Sequence, residues 1–307
     1  MQQVYHVSPY GNFGDDLNAW FWDEVLPGWR DWEDSVTLVG IGTILNAGLL
    51  PTGKLLVIGS GVGYGRIPDV SNSNDWDIRA VRGPRTTRVL GLGKAKSFSD
   101  PAIVLPCLEM FHDIEKTDEI LFVPHVGSDQ SFDWDTICGR LGLSYQSPSA
   151  PPEVVIKRLA SAHAVIAESM HAAIISDAFG TPWTAVQINK SFNRFKWFDW
   201  SESLKMKELK IYKFFPLLRG VQAVLDRIGE RTSKPVPSNV TKGKTVPCCP
   251  SMARKGKILH YLAYFHLKQV NKRARFGVSD RPSLKKAQER YFNLFHEIHR
   301  YYSDRSG

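Results

Sequence analysis

Short apolar runs are the feature that most limits the folds open to this 307-residue chain. Each is four or five residues long, and several end at a glycine or proline. Apolar runs of this length are typical of parallel strands buried on both faces. Helical patterns separate them, so the sequence predicts an α/β fold. The predicted strands are Val36–Val39, Leu55–Ile58, Ile78–Val81, Ile120–Val123, Ala164–Ala167 and Thr184–Ile188.

The length of the chain suits two domains of ordinary size. The pattern of strands and helices occurs in two stretches, and a segment rich in Pro, Ser, Thr and Lys follows them, which is typical of a linker. Beyond it, Ile258–Val270 and Leu284–Tyr302 have apolar residues at helical spacing. The predicted units are an N-terminal domain at 1–115, a C-terminal domain at 116–230, a linker at 231–250 and a basic helical tail at 251–307.

Charge is unevenly distributed along the chain. From Arg231 to the C-terminus there are 17 Lys and Arg against 4 Asp and Glu, a net charge of +13, whereas residues 1–230 carry a net charge of −5. This asymmetry predicts an anionic partner for the basic segment, either a membrane surface or a nucleic acid. The segment lacks a zinc-finger or RNA-recognition motif, so nucleic-acid binding is kept as an alternative function of a different class.

The four cysteines are Cys107, Cys138, Cys248 and Cys249, and they show neither CxxC nor Cys/His zinc spacing. This pattern favours free thiols in a reducing compartment. No apolar run approaches the roughly 18 residues that a membrane span requires. The N-terminus lacks the basic and apolar regions of a signal peptide. The sequence therefore predicts a cytoplasmic protein without a metal site.

A glycine-rich turn follows the strand predicted at Leu55–Ile58. Glycines allow backbone amides to approach an anion closely. The Gly-x-Gly-x-x-Gly spacing of dinucleotide-binding turns fails in both registers, because Tyr64 and Arg66 occupy the position of the last glycine. Two interpretations stay open for Gly59, Ser60 and Gly61, a substrate-binding loop and a plain tight turn.

Two further segments carry candidate side chains. Asp15, Asp16 and Asn18 lie just before an aromatic helical pattern that begins near Trp20. Either these residues cap the helix, or the two carboxylates hold sugar hydroxyls or act as a base. Arg82 and Arg85 flank a Gly-Pro turn before another helix. Their guanidinium groups suit bidentate binding of carboxylate or phosphate, and the alternative is a solvated pair of charges.

The strongest local signal lies where the strand at Ala164–Ala167 runs directly into an Ala-rich helix. Ser169 is placed to cap this helix, with Glu168 before it and His171 in its first turn. Ligands of open α/β sheets bind at the carboxyl ends of the strands. The positive end of a helix favours an anion and tends to lower the pKa of a neighbouring histidine. These features make His171 the first candidate for catalysis.

The order of these segments resembles that of the polysaccharide pyruvyl transferase family, in particular the ketal pyruvyltransferases of succinoglycan and xanthan synthesis. The resemblance covers residues 5–188 approximately. Six motifs carry it: Gly-Asn-Phe-Gly-Asp-Asp at 11–16, Gly-Ser-Gly at 59–61, Arg-Gly-Pro-Arg-Thr at 82–86, Asp-Pro-Ala at 100–102, Val-Pro-His at 123–125 and Glu-Ser-Met-His-Ala-Ala-Ile at 168–174.

The resemblance implies two Rossmann-like halves in a GT-B-like arrangement, with the donor bound between them. It also implies phosphoenolpyruvate as the donor substrate, no cofactor, and a lipid-linked oligosaccharide or polysaccharide as acceptor. His171, Asp15 and Asp16 are then the catalytic candidates. The predicted substrate-binding residues are Asn12, Gly59, Ser60, Gly61, Arg82, Arg85, His125, Glu168 and Ser169.

One family feature is missing from this chain. Many members have an arginine in a Ser-Arg-x-His motif, where this sequence reads Ser169-Met170-His171. Arg82 and Arg85 are therefore predicted to bind the donor anion, ahead of Arg194 and Lys190. A nucleotide-sugar glycosyltransferase of the same fold is the alternative enzyme, since a fold does not determine the donor. The basic tail predicts peripheral attachment to the inner face of the inner membrane.

Overall fold

A computed structural model describes residues 1–49, 53–189, 192–213 and 252–304, with the backbone alone for 252–259. It confirms the α/β class and contains two parallel sheets. The predicted linker at 231–250 lies outside the described residues, as do Lys190, Cys248 and Cys249.

The N-terminal sheet has four parallel strands in the order β1-β2-β3-β4. Its strands are β1 Gln2–Val4, β2 Val36–Val39, β3 Lys54–Ile58 and β4 Trp76–Ala80. Short helices connect them: α1 Phe13–Asp16, α2 Phe21–Val25 and α3 Pro84–Val89, with 3-10 turns at Leu17–Ala19, Trp29–Asp31, Lys94–Lys96, Pro101–Cys107 and Glu109–Phe111. Leu56, Val57 and Ile58 are fully buried, as expected for a central parallel strand.

The C-terminal sheet has five parallel strands in the order β6-β5-β7-β8-β9. Its strands are β5 Ile120–Val123, β6 Ser144–Tyr145, β7 Ala164–Ala167, β8 Trp183–Gln187 and β9 Ile211–Lys213. Its helices are α4 Val126–Asp129, α5 Trp134–Gly139, α6 Pro152–Ser161, α7 Met170–Ala178 and α8 Arg194–Ser203. The two sheets lie within the predicted domains at 1–115 and 116–230, whose boundaries stay a prediction.

Two long helices close the described chain, α9 Met252–Arg273 and α10 Arg281–Ser303. Ala263, Leu267 and Val270 of α9 are buried in the core of the C-terminal sheet. The helix α10 packs instead on the N-terminal half, where Tyr302 stacks on Trp32 with ring centroids 5.8 Å apart. The described part of the predicted tail therefore contributes to both cores. None of the described helices combines the length and apolarity that a membrane crossing requires.

The carboxyl ends of strands from both sheets border one cavity. Segments after β1, β2 and β3 reach it from the N-terminal half, and segments after β5 and β7 reach it from the C-terminal half. This is the edge at which parallel α/β sheets bind ligands. The fold thus brings together side chains that lie far apart in the sequence.

Candidate active site

The cavity at this edge has a volume of about 510 Å³. Five residues predicted from the sequence line it, namely Asn12, Asp15, His125, Ser169 and His171. The sequence did not single out the remaining lining residues, which are His6, Ser8, Thr43, Ile44, Asn46, Tyr64, Val126, Gly127, Met170 and Lys196.

His171 lies in the first turn of α7, and only 8% of it is exposed. Its Nε2 atom lies 3.7 Å from Oδ2 of Asp100, and both atoms are buried with no hydrogen-bond partner among the described residues. The other oxygen of Asp100 accepts a hydrogen bond from the Ala102 amide, which fixes the carboxylate. The Asp100 carboxylate therefore faces the Nε2 edge of the imidazole from the buried side.

Helix α1 brings Gly14 against the imidazole of His171. A Cβ atom on Gly14 would lie 1.8 Å from Nδ1 of His171, which is far inside van der Waals contact. Only glycine therefore fits beside the ring as it is placed. The Gly-Asn-Phe-Gly-Asp-Asp motif thus contributes a close packing surface as well as its carboxylates.

Asp15 and Asp16 have different surroundings. Asp15 lines the cavity and accepts a hydrogen bond from the side-chain amide of Asn12. Burial raises the pKa of Asp15, while the charges of His171 and Lys196 act in the opposite direction. Asp16 does not line the cavity, and its carboxylate accepts a hydrogen bond from the backbone amide of Asn12. Asp15 is therefore the better placed of the two for proton transfer.

His125 and Glu168 form a second unit of the site. The Gly127 amide donates to Nδ1 of His125, which leaves Nε2 to carry the proton of the neutral ring. Burial, and then the charge of Lys196, lower the pKa of His125 to about 4. Glu168 lies behind the cavity, where its carboxylate accepts hydrogen bonds from the amides of His125, Ile188 and Asn189. Glu168 positions His125 and does not itself line the cavity.

Ser169 occupies the N-cap position of α7, as predicted, but its side chain makes no capping hydrogen bond. It lines the cavity together with Met170 and His171. The first-turn N–H groups of a helix have no partner within the helix and carry a partial positive charge. This end of α7 therefore presents hydrogen-bond donors to a bound anion.

Arg82 and Arg85, the predicted donor ligands, do not line the cavity. Arg82 is fully buried and donates to Asp199 as well as to Gly42, Thr43 and Val62. Arg85 forms an ion pair with Glu202. Arg82 reaches the cavity only indirectly, by holding Thr43, because its guanidinium is already occupied.

The glycine-rich turn after β3 has a packing role in the structure. Gly59 adopts a φ of 89°, and a Cβ atom there would lie 2.3 Å from Pro101. Ser60 is buried and donates to the carbonyl of Gly42, while Gly61 makes room for the guanidinium of Arg82. None of these three residues lines the cavity; Tyr64, at the far end of the turn, does.

A larger cavity, of about 700 Å³, lies elsewhere between β8, the segment 205–210 before β9 and the connection from α9 to α10. Trp183, Lys205 and Arg275 are among the residues that line it. It contains none of the residues predicted from the motifs. Across the described parts of the chain, His, Cys, Asp and Glu form no group of three or more suited to a metal ion.

Comparison with known proteins agrees with the order of the motifs. The family model for polysaccharide pyruvyl transferase matches residues 23–189, more than half of the chain. The chain is also 45% identical over 205 residues to the succinoglycan biosynthesis protein ExoV of Rhizobium meliloti strain 1021. That match covers 66% of this chain and 65% of the relative, so the chain spans just under two thirds of that protein's length. On this evidence, the chain belongs to the polysaccharide pyruvyl transferase family.

Proposed function

We propose that this protein transfers the pyruvyl group of phosphoenolpyruvate to a sugar of an exopolysaccharide precursor, where it forms a ketal with two hydroxyls. The observation that carries the proposal is the meeting of Asp15, His125 and His171 in one cavity between the two halves. Membership of the family and the similarity to a succinoglycan biosynthesis protein support this chemistry and this kind of acceptor.

The reaction requires two new C–O bonds at C2 of the donor, the loss of one proton from each hydroxyl and the gain of one proton by the methylene carbon. The first sugar hydroxyl adds to C2 and gives its proton to the enzyme, which supplies one proton to the methylene carbon of the donor as this becomes a methyl group. The second hydroxyl then displaces phosphate at C2, and its proton leaves with the phosphate or passes to the enzyme. Positive charge develops at C2 in both steps, and a nearby carboxylate stabilises it.

His171 is the proposed proton carrier, because its ring lies in the cavity and faces the buried Asp100. Asp15 is the proposed carboxylate beside the reacting carbon. Its raised pKa also suits it to proton transfer at a higher pH than an exposed aspartate. The neutral His125 is proposed to donate its Nε2 proton to a substrate oxygen.

The proposal includes a GT-B-like arrangement, with the donor cleft between the two halves, and peripheral attachment to the cytoplasmic face of an inner membrane. Attachment would depend on exposed basic residues of the last two helices, such as Lys272, Arg273, Lys285 and Lys286. Three apolar residues of α9, Ala263, Leu267 and Val270, are already buried in the core. Binding would therefore be mainly electrostatic, and sedimentation with anionic liposomes should decrease as the salt concentration rises.

A transfer assay separates the proposed function from its alternatives. The purified protein is mixed with an oligosaccharide precursor and either phosphoenolpyruvate or nucleotide sugars, and phosphate release and product mass are measured. We expect phosphate release from phosphoenolpyruvate only when the acceptor is present. Consumption of a nucleotide sugar instead would identify a glycosyltransferase. Salt-dependent DNA binding, with no effect of phosphoenolpyruvate on the melting temperature, would favour the nucleic-acid alternative.

A further inference from the structure

Lys196 is a cation that lines the cavity and that the sequence motifs do not include. It lies in the first turn of α8, whose N-cap Asn193 accepts hydrogen bonds from the amides of Phe195 and Lys196. The side-chain amide of Asn193 also donates to the carbonyl of Gly63 in the other half. The ammonium of Lys196 lies 5.6 Å from the ring centroid of Tyr64. Helix α8 thus carries this lysine to the boundary between the two halves.

Within the described residues, Lys196 forms no ion pair or hydrogen bond through its ammonium. Asp199, one turn further along α8, is already saturated. Its two oxygens accept four hydrogen bonds, from Arg82, the Arg85 amide, and the amide and hydroxyl of Thr86. On this helix, the Asp199 carboxylate is therefore fully hydrogen-bonded, whereas the Lys196 ammonium has no such partner within the described residues.

The two carboxylates that act electrostatically on Lys196, Asp15 and Glu168, are also engaged. Glu168 accepts hydrogen bonds from three backbone amides, and Asp15 accepts one from the side-chain amide of Asn12. Burial, and then the charge of Arg82, lower the pKa of Lys196 to about 8 in spite of these acids. Holding an unpaired cation in this position is unfavourable for the free protein, which is typical of a group whose partner is a ligand.

We propose that Lys196 binds an anionic oxygen of the donor, in its carboxylate or phosphate group. This inference rests on the proposed function and names the residue that recognises the donor. The donor is the anionic substrate, whereas the acceptor sugar offers neutral hydroxyls. The first turn of α7 and the Nε2 proton of His125 border the same cavity and add further donors. Of the arginines suggested by the sequence, Arg82 and Arg85 are paired elsewhere, and Arg194 does not line the cavity.

Calorimetric titration of the full-length protein with phosphoenolpyruvate tests this proposal. Lys196→Met should raise the Kd by about 10- to 100-fold, the range expected for the loss of a charged hydrogen bond. Lys196→Arg should stay within a few-fold of the wild type, because it keeps the charge. Lys207→Met is the matched control, since this exposed lysine lies outside the cavity, and its Kd should not change.

The melting temperature of the ligand-free protein separates donor binding from a structural role. Lys196→Met should melt at the wild-type temperature or above it, because the substitution removes an unpaired charge from a partly buried position. A clear decrease, together with an unchanged Kd for phosphoenolpyruvate, would assign Lys196 to structure and overturn the proposal.

Failure of this inference is distinguishable from failure of the proposed function. If the wild type binds phosphoenolpyruvate and Lys196→Met binds it equally well, only the role of Lys196 is overturned. If the wild type does not bind phosphoenolpyruvate at all, the proposed function fails and this inference fails with it.

Discussion

The buried Asp100 carboxylate faces the imidazole of His171. Substitutions of these two residues are therefore expected to have different effects on catalysis. His171→Gln should lower the transfer rate by about 100-fold or more, the usual contribution of a general acid or base. Asp100→Asn keeps the oxygen that accepts the Ala102 amide but removes the charge facing His171. It should lower kcat by a smaller factor, shift the pH–rate profile and leave donor affinity unchanged. Wild-type turnover in folded His171→Gln would exclude catalysis by this histidine.

Substitution of Gly14 tests whether the position of the His171 ring matters, without changing the ring itself. In Gly14→Ala the new methyl group would overlap the imidazole, so the ring must move. Misplacement of a catalytic group by about 1 Å can lower a rate by about 100-fold, and we expect a loss approaching that size. Gly139→Ala is the control, because no atom lies within 4 Å of a Cβ atom there. Equal rates for the two variants would show that the position of the ring is not critical.

The pH dependence of donor binding reports on Lys196. Its lowered pKa means that the lysine of the free protein loses its proton as the pH rises through about 8. Binding to an anion then requires proton uptake, so the Kd for phosphoenolpyruvate should increase above that pH. His125 titrates near 4, and burial raises the pKa of Tyr64, so neither accounts for such a change. In Lys196→Arg the increase should disappear; an identical increase would point to a different group.

At the scale of single residues, the sequence identified part of the candidate site. Asp15, His125, Ser169 and His171 follow strand ends in recognisable motifs, and the structure brings them to one cavity. Lys196 was missed because it stands in an aromatic helix without a motif of its own. The one available signal was its i, i+3 spacing to Asp199, which places both residues on one helix face. That spacing alone cannot show which of the two is already paired.

Helix α10 shows how an element of the predicted basic tail contributes to the core of the N-terminal half. Tyr291 of α10 is fully buried and donates a hydrogen bond to the carbonyl of Ser99, next to Asp100. Tyr291→Phe should lower the free energy of unfolding by about 1–2 kcal/mol through the lost hydrogen bond. Tyr291→Ala should lower it by about 3–5 kcal/mol. Chemical denaturation measures both.

A matched tyrosine on the neighbouring helix serves as the control. Tyr261 of α9 is 67% exposed, so Tyr261→Phe should leave the unfolding transition unchanged. In contrast to this control, truncation before α10 should unfold the N-terminal half, because Phe295 and Tyr302 belong to its core. A truncated protein with wild-type stability would show that α10 is not required for this core.

The bounds of the buried strands were predicted more accurately from the sequence than those of the strands at the sheet edges. The predicted bounds agree with β2, β5 and β7 and come within two residues for β3, β4 and β8. These strands have apolar runs because both faces are covered. The edge strands β6 and β9 have two and three residues and mixed polarity, so they carry no such signal. The helices α9 and α10 were predicted from their periodicity, but periodicity does not reveal which core receives an apolar face.

At the scale of the whole molecule, the two halves are joined through a buried ion pair that spans 117 residues of sequence. Arg82 of the N-terminal half and Asp199 of α8 are both fully buried, with 3.3 Å between Nε and Oδ2. Sequence alone identifies Arg82 as a cation beside a turn, but it cannot reveal a partner so distant in the chain. The pair fixes the orientation of α8, and with it the position of Lys196 in the cavity.

Asp199→Asn therefore tests the connection between the halves. The substitution keeps the shape of the side chain but leaves the buried charge of Arg82 without its partner, which is expected to cost about 3–5 kcal/mol of stability. Glu202→Gln, on the same helix, breaks the partly exposed pair with Arg85 and should cost about 1 kcal/mol or less. Urea denaturation compares the two variants. Because α8 also carries Lys196, Asp199→Asn should weaken phosphoenolpyruvate binding under conditions in which the protein remains folded, whereas Glu202→Gln should not. Equal stability losses in the two variants would mean that the halves are held together mainly by their apolar contacts.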